Sequence, residues 1–174
     1  MNWNQIKYFN KKEFHGCADL LEDQVIHNLD KLRVLLKERI YPSPVKGAIS
    51  RFGGSKTSQH YVGIPGEPAI RKSTAIDVFI EGIPFLNFSD IINTKLFSGI
   101  GIYMDTNGPD GLPWIMFHLD IRENHTIEEP LLWIAVKKLD VETGKTVTEY
   151  KYPQTNACHW KLLMKNLFFT ERTK

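Results

Sequence analysis

Phe52-Gly53-Gly54-Ser55-Lys56-Thr57-Ser58-Gln59-His60 is a turn followed by hydroxyl residues that ends on a histidine. A Gly-Gly pair and a Ser/Thr run read as loop, not core, so His60 is presented rather than packed away. Further along, Ala75-Ile76-Asp77-Val78-Phe79 is a short apolar strand with one acidic residue. A carboxylate there is costly unless it is paired or binds a metal. Trp114-Ile115-Met116-Phe117-His118-Leu119-Asp120 is a second apolar strand with polar intrusions. Alternate side chains of a strand share a face, so Met116, His118 and Asp120 point the same way. Two histidines and a carboxylate, with a fourth position left for water, are the donor set of a catalytic zinc site.

The elements around these stretches give an α+β domain. Leu21, Val25, Leu29, Leu32 and Leu36 recur at helical spacing, which predicts an amphipathic helix over Asp19–Ile40, ended by Pro42 and Pro44. Its His27 falls beside the apolar stripe and reads as structural. Trp3, Tyr8, Phe9 and Phe14 read as an aromatic lid on the core. Val45–Ser50 is expected as a strand leading to Arg51, and Ile64–Ser73, with two prolines and a glycine, as a loop. Ser89 is placed to cap a short helix over 90–97. Gly99–Met104 and Trp114–Ile121 form an antiparallel pair across a turn at 106–113. Leu131–Leu139 and Thr146–Tyr152 make a hairpin with Gly144 at its turn, and a final helix is expected over 159–169. The sheet is expected to be small and antiparallel, with the long helix packed on one side.

The chain has 174 residues, 42% of them apolar, which fits one domain with a core. Its 22 basic and 20 acidic residues leave a net charge of +2, too balanced to argue for nucleic acid or membrane binding. No run reaches the ~18 apolar residues of a membrane span. The first residues lack the apolar region of a secretory signal. Cys17 and Cys158 are far apart and form no CxxC pattern, so two free thiols are the plainer expectation, with a disulfide left open. His125 lies in a polar loop and reads as exposed. His159 follows Cys158 directly, and chain neighbours rarely face each other as a nucleophile and base must.

The ordered segments Gly53-Gly54-Ser55-Lys56-Thr57-Ser58-Gln59-His60, Ala75-Ile76-Asp77, Gly99-Ile100-Gly101-Ile102-Tyr103 and Phe117-His118-Leu119-Asp120 resemble the zinc peptidases of the M15 family. The branch they resemble contains D-Ala-D-Ala carboxypeptidases and peptidoglycan endopeptidases of bacterial wall remodelling and phage lysis. The resemblance extends to Tyr8-Phe9, Glu13-Phe14 and Leu29-Asp30-Lys31-Leu32-Arg33, and so runs from about Lys7 to about Arg122. It implies a Hedgehog/DD-peptidase-like fold and a zinc ion on His60, Asp77 and His118. It also implies substrate contacts from Ser58 and Tyr103, and an arginine near the substrate, a role that falls to Arg51. Residues 123–174 lie beyond it as an extension without a readable motif.

Two departures from the family pattern stand out. Seventeen positions separate His60 from Asp77, about ten more than usual, and the surplus is the 64–73 loop. Loop length is thermodynamically cheap, so the ligand geometry survives the insertion. The family's acid/base residue stands two or three positions before the second histidine, where this chain has Met116 and Ile115. Asp120 is the nearest remaining carboxylate. It is expected either as the acid/base or as a partner holding a ligand imidazole or Arg122. The function implied is zinc-dependent hydrolysis of peptidoglycan stem peptides, by a protein made in the cytoplasm that reaches the wall after release or on a phage particle. The alternative is a zinc-stabilised binding or virion domain without turnover.

Overall fold

The computed structural model describes residues 1–141 and 143–153, and shows an α+β fold. Six strands form one mixed sheet: β1 (Ile40–Pro42), β4 (Ala75–Ile80), β6 (Pro113–Asp120), β5 (Gly99–Asn107), β7 (Leu131–Leu139) and β8 (Thr146–Lys151), in that spatial order. Two short strands, β2 (Arg51–Phe52) and β3 (Tyr61–Gly63), pair in parallel as a separate small sheet. Two α-helices are described, α1 (Asp23–Leu36) and α2 (Pro84–Thr94).

The sheet is not purely antiparallel. Strand β6 already has β4 and β5 on its two sides, so the chain leaving it passes β5 and adds β7 to the free edge of β5. There β7 runs parallel to β5. The β7–β8 hairpin forms as expected, with Gly144 at φ 65° in its turn. The helix expected over 159–169, and Cys158 and His159, lie outside the described residues.

Period-two alternation divides the sheet into two working faces. Ile76, Val78, Ile80, Ile100, Ile102, Ile115, Phe117, Leu119, Leu132 and Ile134 point to one side. They form a single core with Val25, Leu29 and Leu32 of α1 and Phe88 and Ile91 of α2. Asp77, His118 and Asp120 alternate with these residues and face the other side. The aromatic N-terminus packs on the core as expected, with Phe14 fully buried between Trp3 and Phe9, although Tyr8 is exposed. Asp30 holds this segment by accepting from the backbone amides of Lys7 and Tyr8.

Several boundaries differ from the expectation. Helix α1 is shorter at both ends. Leu21 leaves the helical path to bridge Ser73, and Lys37 turns into the left-handed region at φ 58°. The prolines instead fall in and after β1. Residues 45–50 are a turn, not a strand, with Gly47 at φ 88°. The backbone N–H of Asp77 donates to Ala48 in this turn, and its carbonyl accepts from Ser43 just before it. Helix α2 begins six residues before the expected Asp90, because Pro84 occupies its first turn, where a missing N–H is harmless.

Candidate metal centre

Strands β4 and β6 are in antiparallel register with Asp77 opposite His118. Both side chains rise from the face away from the helices. His60 arrives from the loop before β3, which is pinned from below and from the side. Thr74 donates to Gln59 through its backbone N–H and its hydroxyl. Arg71 donates to the carbonyls of Ser58, Lys56 and Tyr61. The 64–73 insertion thus supplies a clamp for the loop that carries His60.

His60 Nε2, Asp77 Oδ1 and His118 Nδ1 converge to a triangle with edges of 2.9, 3.0 and 3.2 Å. All three residues are buried, and as a group they could hold a metal ion. Hydrogen bonding alone satisfies this triangle poorly. His118 Nε2 donates to Asp120 Oδ2 at 3.0 Å. A neutral His118 then has no proton on Nδ1 to offer Asp77, and one added proton cannot serve both Asp77 and His60. His60 Nδ1 is itself buried with no hydrogen-bond partner among the described residues. A cation takes all three lone pairs at once, so the donor set fits a metal better than it fits protons.

The electrostatics point the same way. Burial pushes the Asp77 carboxyl up, but the imidazoles of His60 and His118 outweigh it and hold it at about 2. Burial pushes His118 down, yet Asp120 and Asp77 together raise it to about 9. In the metal-free protein, the proton on His118 does the work a cation would do.

Asp120 lies on the far side of His118 from the triangle. It is fully buried. Its Oδ1 accepts from Arg122 Nε at 2.8 Å, and its Oδ2 accepts from His118 and from Arg122. Burial raises its carboxyl, but Arg122 and His118 outweigh that and hold it well below the usual carboxylate range. Arg122 in turn stacks over Trp133 at 4.9 Å. The Trp133 ring also packs 5.0 Å from that of His118.

Three rows across the sheet explain how these large groups fit side by side. In the first, Asp120 pairs with Gly99 and Gly99 with Leu131. In the second, His118 pairs with Gly101 and Gly101 with Trp133. A Cβ on Gly99 would stand 2.3 Å from Asp120 Oδ1, and one on Gly101 2.2 Å from the Trp133 ring. In the third row Tyr103 and Tyr150 flank the small Ala135. The Gly-x-Gly of β5 is there to make room.

Two cavities of about 500 and 440 Å³ open on the triangle, and His60, Tyr103, Tyr150 and Arg51 line both. The smaller has Ser55, Thr57 and Ser58 on one wall and Trp133 and Tyr152 on the other. Of the expected site residues, His60, Asp77 and His118 are brought together. Ser58 and Tyr103 line the cleft, the exposed Arg51 stands at its rim, and Asp120 supports His118 from behind. Burial raises the Tyr103 phenol well above its ordinary range, with help from the Asp77 charge and from Tyr150. His125 is half-buried and His27 sits on α1, both apart from the donor group.

Trp133 and Tyr150 were invisible as site residues in the sequence. Trp133 sits in the continuous apolar run that opens β7 and Tyr150 in the largely exposed β8, and the one available signal was indirect: two glycines at i and i+2 in β5 imply that something bulky lies over them. No helix among the described residues is long and apolar enough to cross a membrane. No known family model, curated protein or solved structure matches the chain.

Proposed function

We propose that this protein is a zinc-dependent peptidase acting on the peptide stems of peptidoglycan, as a D,D-carboxypeptidase or an endopeptidase. The observation that carries the metal reading is the buried His60–Asp77–His118 triangle, open on one side to a cleft. Two histidines and a carboxylate with a free position suit zinc and its hydrolytic chemistry. The order of the motifs supports the family and, with it, the Hedgehog/DD-peptidase-like fold and the substrate.

Zinc at such a site polarises a carbonyl and acidifies a water. The chain's own residues do the rest. Asp120 and Arg122 fix the His118 ring and hold its Nε2 proton, so that Nδ1 presents a lone pair to the metal. This is an orienting role, and it leaves Asp120 no oxygen for proton transfer at the substrate. Arg51 at the rim is placed to pair with a substrate carboxylate, and Ser58 and Tyr103 to hold the peptide.

A second reading is a zinc-stabilised binding domain, for example in a virion. It is favoured by Ile115 and Met116 at the positions where an acid/base would stand, and by the engagement of both Asp120 oxygens. Elemental analysis of the wild type and of His118→Ala tests the shared premise. About one zinc per chain, lost in the variant, is expected; no zinc taken up by the wild type sinks both readings. Incubating the zinc-loaded protein with muropeptides then separates them: released D-alanine or cleaved stems support the peptidase, and intact stems support the binding domain.

A further inference from the structure

The cleft described above is lined in part by residues of β7 and β8, among them Trp133 and Tyr150. Tyr150 stands on β8 opposite Ala135, and Ala135 stands opposite Tyr103 on β5. The residue between them is only an alanine, so no bulky side chain separates the two rings in that row. Tyr150 and Trp133 both stand near enough to the Tyr103 phenol to affect its acidity. Tyr150 is half-exposed at the cavity mouth, while Trp133 behind it is buried. Both tyrosines line both cavities that open on His60.

Resting on the zinc-site reading, we infer that Tyr103 and Tyr150 form a two-phenol cradle that donates hydrogen bonds to the oxyanion of a tetrahedral acyl-transfer intermediate, with Tyr150 as a catalytic residue. Acyl transfer needs preorganised donors aimed at the oxygen that gains charge. Asp120 is buried behind His118, its oxygens are engaged by His118 and Arg122, and it lines neither cavity. Two neutral hydroxyls set in one cross-strand row need little reorganisation when charge develops. No bond to the tyrosines forms or breaks, and each keeps its proton throughout. The inference also gives the β7–β8 hairpin, which lies beyond the family resemblance, a part in the site.

The test uses the full chain loaded with cobalt, whose visible spectrum reports the metal's surroundings, and inorganic phosphate as a tetrahedral oxyanion. Tyr150→Phe removes one oxygen and keeps the ring. It is expected to bind phosphate about 10- to 100-fold more weakly than the wild type, the loss of one hydrogen bond to a charged group. Its phosphate-free cobalt spectrum and its affinity for neutral imidazole are expected to be unchanged. Tyr103→Phe should weaken phosphate binding in the same direction. Phosphate affinity in Tyr150→Phe equal to the wild type overturns the cradle, as does an equal loss of phosphate and imidazole, which would signal a structural role. A wild-type chain that shows no cobalt spectrum removes the metal site, and the cradle with it.

Discussion

Asp120 is the residue whose position decides how His118 behaves. A histidine with both nitrogens open can sit in either tautomer. With Nε2 donating to a buried, arginine-held carboxylate, its neutral form is fixed with the Nδ1 lone pair toward Asp77 and His60. Asp120→Asn keeps the shape and removes the charge. Metal affinity should fall about 10- to 100-fold, as for other carboxylates that back a metal-bound histidine, with the helical circular dichroism unchanged. Competition with a chromophoric zinc chelator measures this directly; an affinity equal to the wild type would show that Asp120 does not hold the tautomer. The sequence made the donors legible here, because Asp77 and His118 each interrupt an apolar strand and an interruption needs a chemical reason. It did not distinguish an acid/base Asp120 from an orienting one. That distinction depends on which side of the imidazole the carboxylate meets, and spacing along one strand is silent on it.

At the scale of elements, the site rests on sheet register. Strands β4, β6, β5 and β7 bring Asp77, His118, Gly101 and Trp133 into one row. A one-residue slip of any strand would turn its member of that row into the helix-facing core. Gly101→Ala tests the row without touching a ligand. The added methyl would stand 2.2 Å from the Trp133 ring, so the indole must move off His118 or the strands must part. A loss of about 1–3 kcal/mol is expected, the usual cost of overpacking. Urea denaturation followed by tryptophan fluorescence measures it, and a stability equal to the wild type would mean that the row is loose. Elements with strong periodicity were legible: the strand of Asp77, the β7–β8 hairpin and the body of α1. Their ends were not. Helix α1 stops where Lys37 enters the left-handed region, well before the prolines, and the 45–50 segment curls so that the Ala48 carbonyl accepts from the Asp77 backbone N–H. Both causes are tertiary. The parallel pairing of β7 was hidden for the same kind of reason, since strand order follows from which edge is still open.

For the molecule as a whole, the proposed metal would compete with protons for the same lone pairs. The raised His118, at about 9, favours the metal-free fold below the ordinary histidine value of about 6.5. That contribution is lost as pH rises through 9. The lowered Asp77, at about 2, contributes above the ordinary carboxylate value of about 3.9 and loses its contribution as pH falls toward 2. The metal-free protein should therefore be most stable between about pH 4 and 6.5 and should weaken from 6.5 to 9. Zinc should behave oppositely. Its binding displaces the His118 proton, so the stabilisation it adds grows over the same interval, reaching about 4 kcal/mol where free zinc exceeds its dissociation constant a thousandfold. Thermal melts from pH 5 to 9, with zinc and with chelator, check both slopes. Parallel curves would mean that the ion does not take the place of that proton.

Gly99, Gly101 and Ala135 lie under this site and carry no functional group between them. Each is defined by what its neighbours occupy: the Asp120–Arg122 pair, the Trp133 indole and the two tyrosines. A description of the centre as a set of reactive side chains therefore records only half of what specifies it, and the other half is written as vacancy. Information held this way is fragile to insertion and blind to chemistry. The smallest change to these residues, a single methyl on either glycine, adds no functional group and yet rewrites the distances among the groups around it.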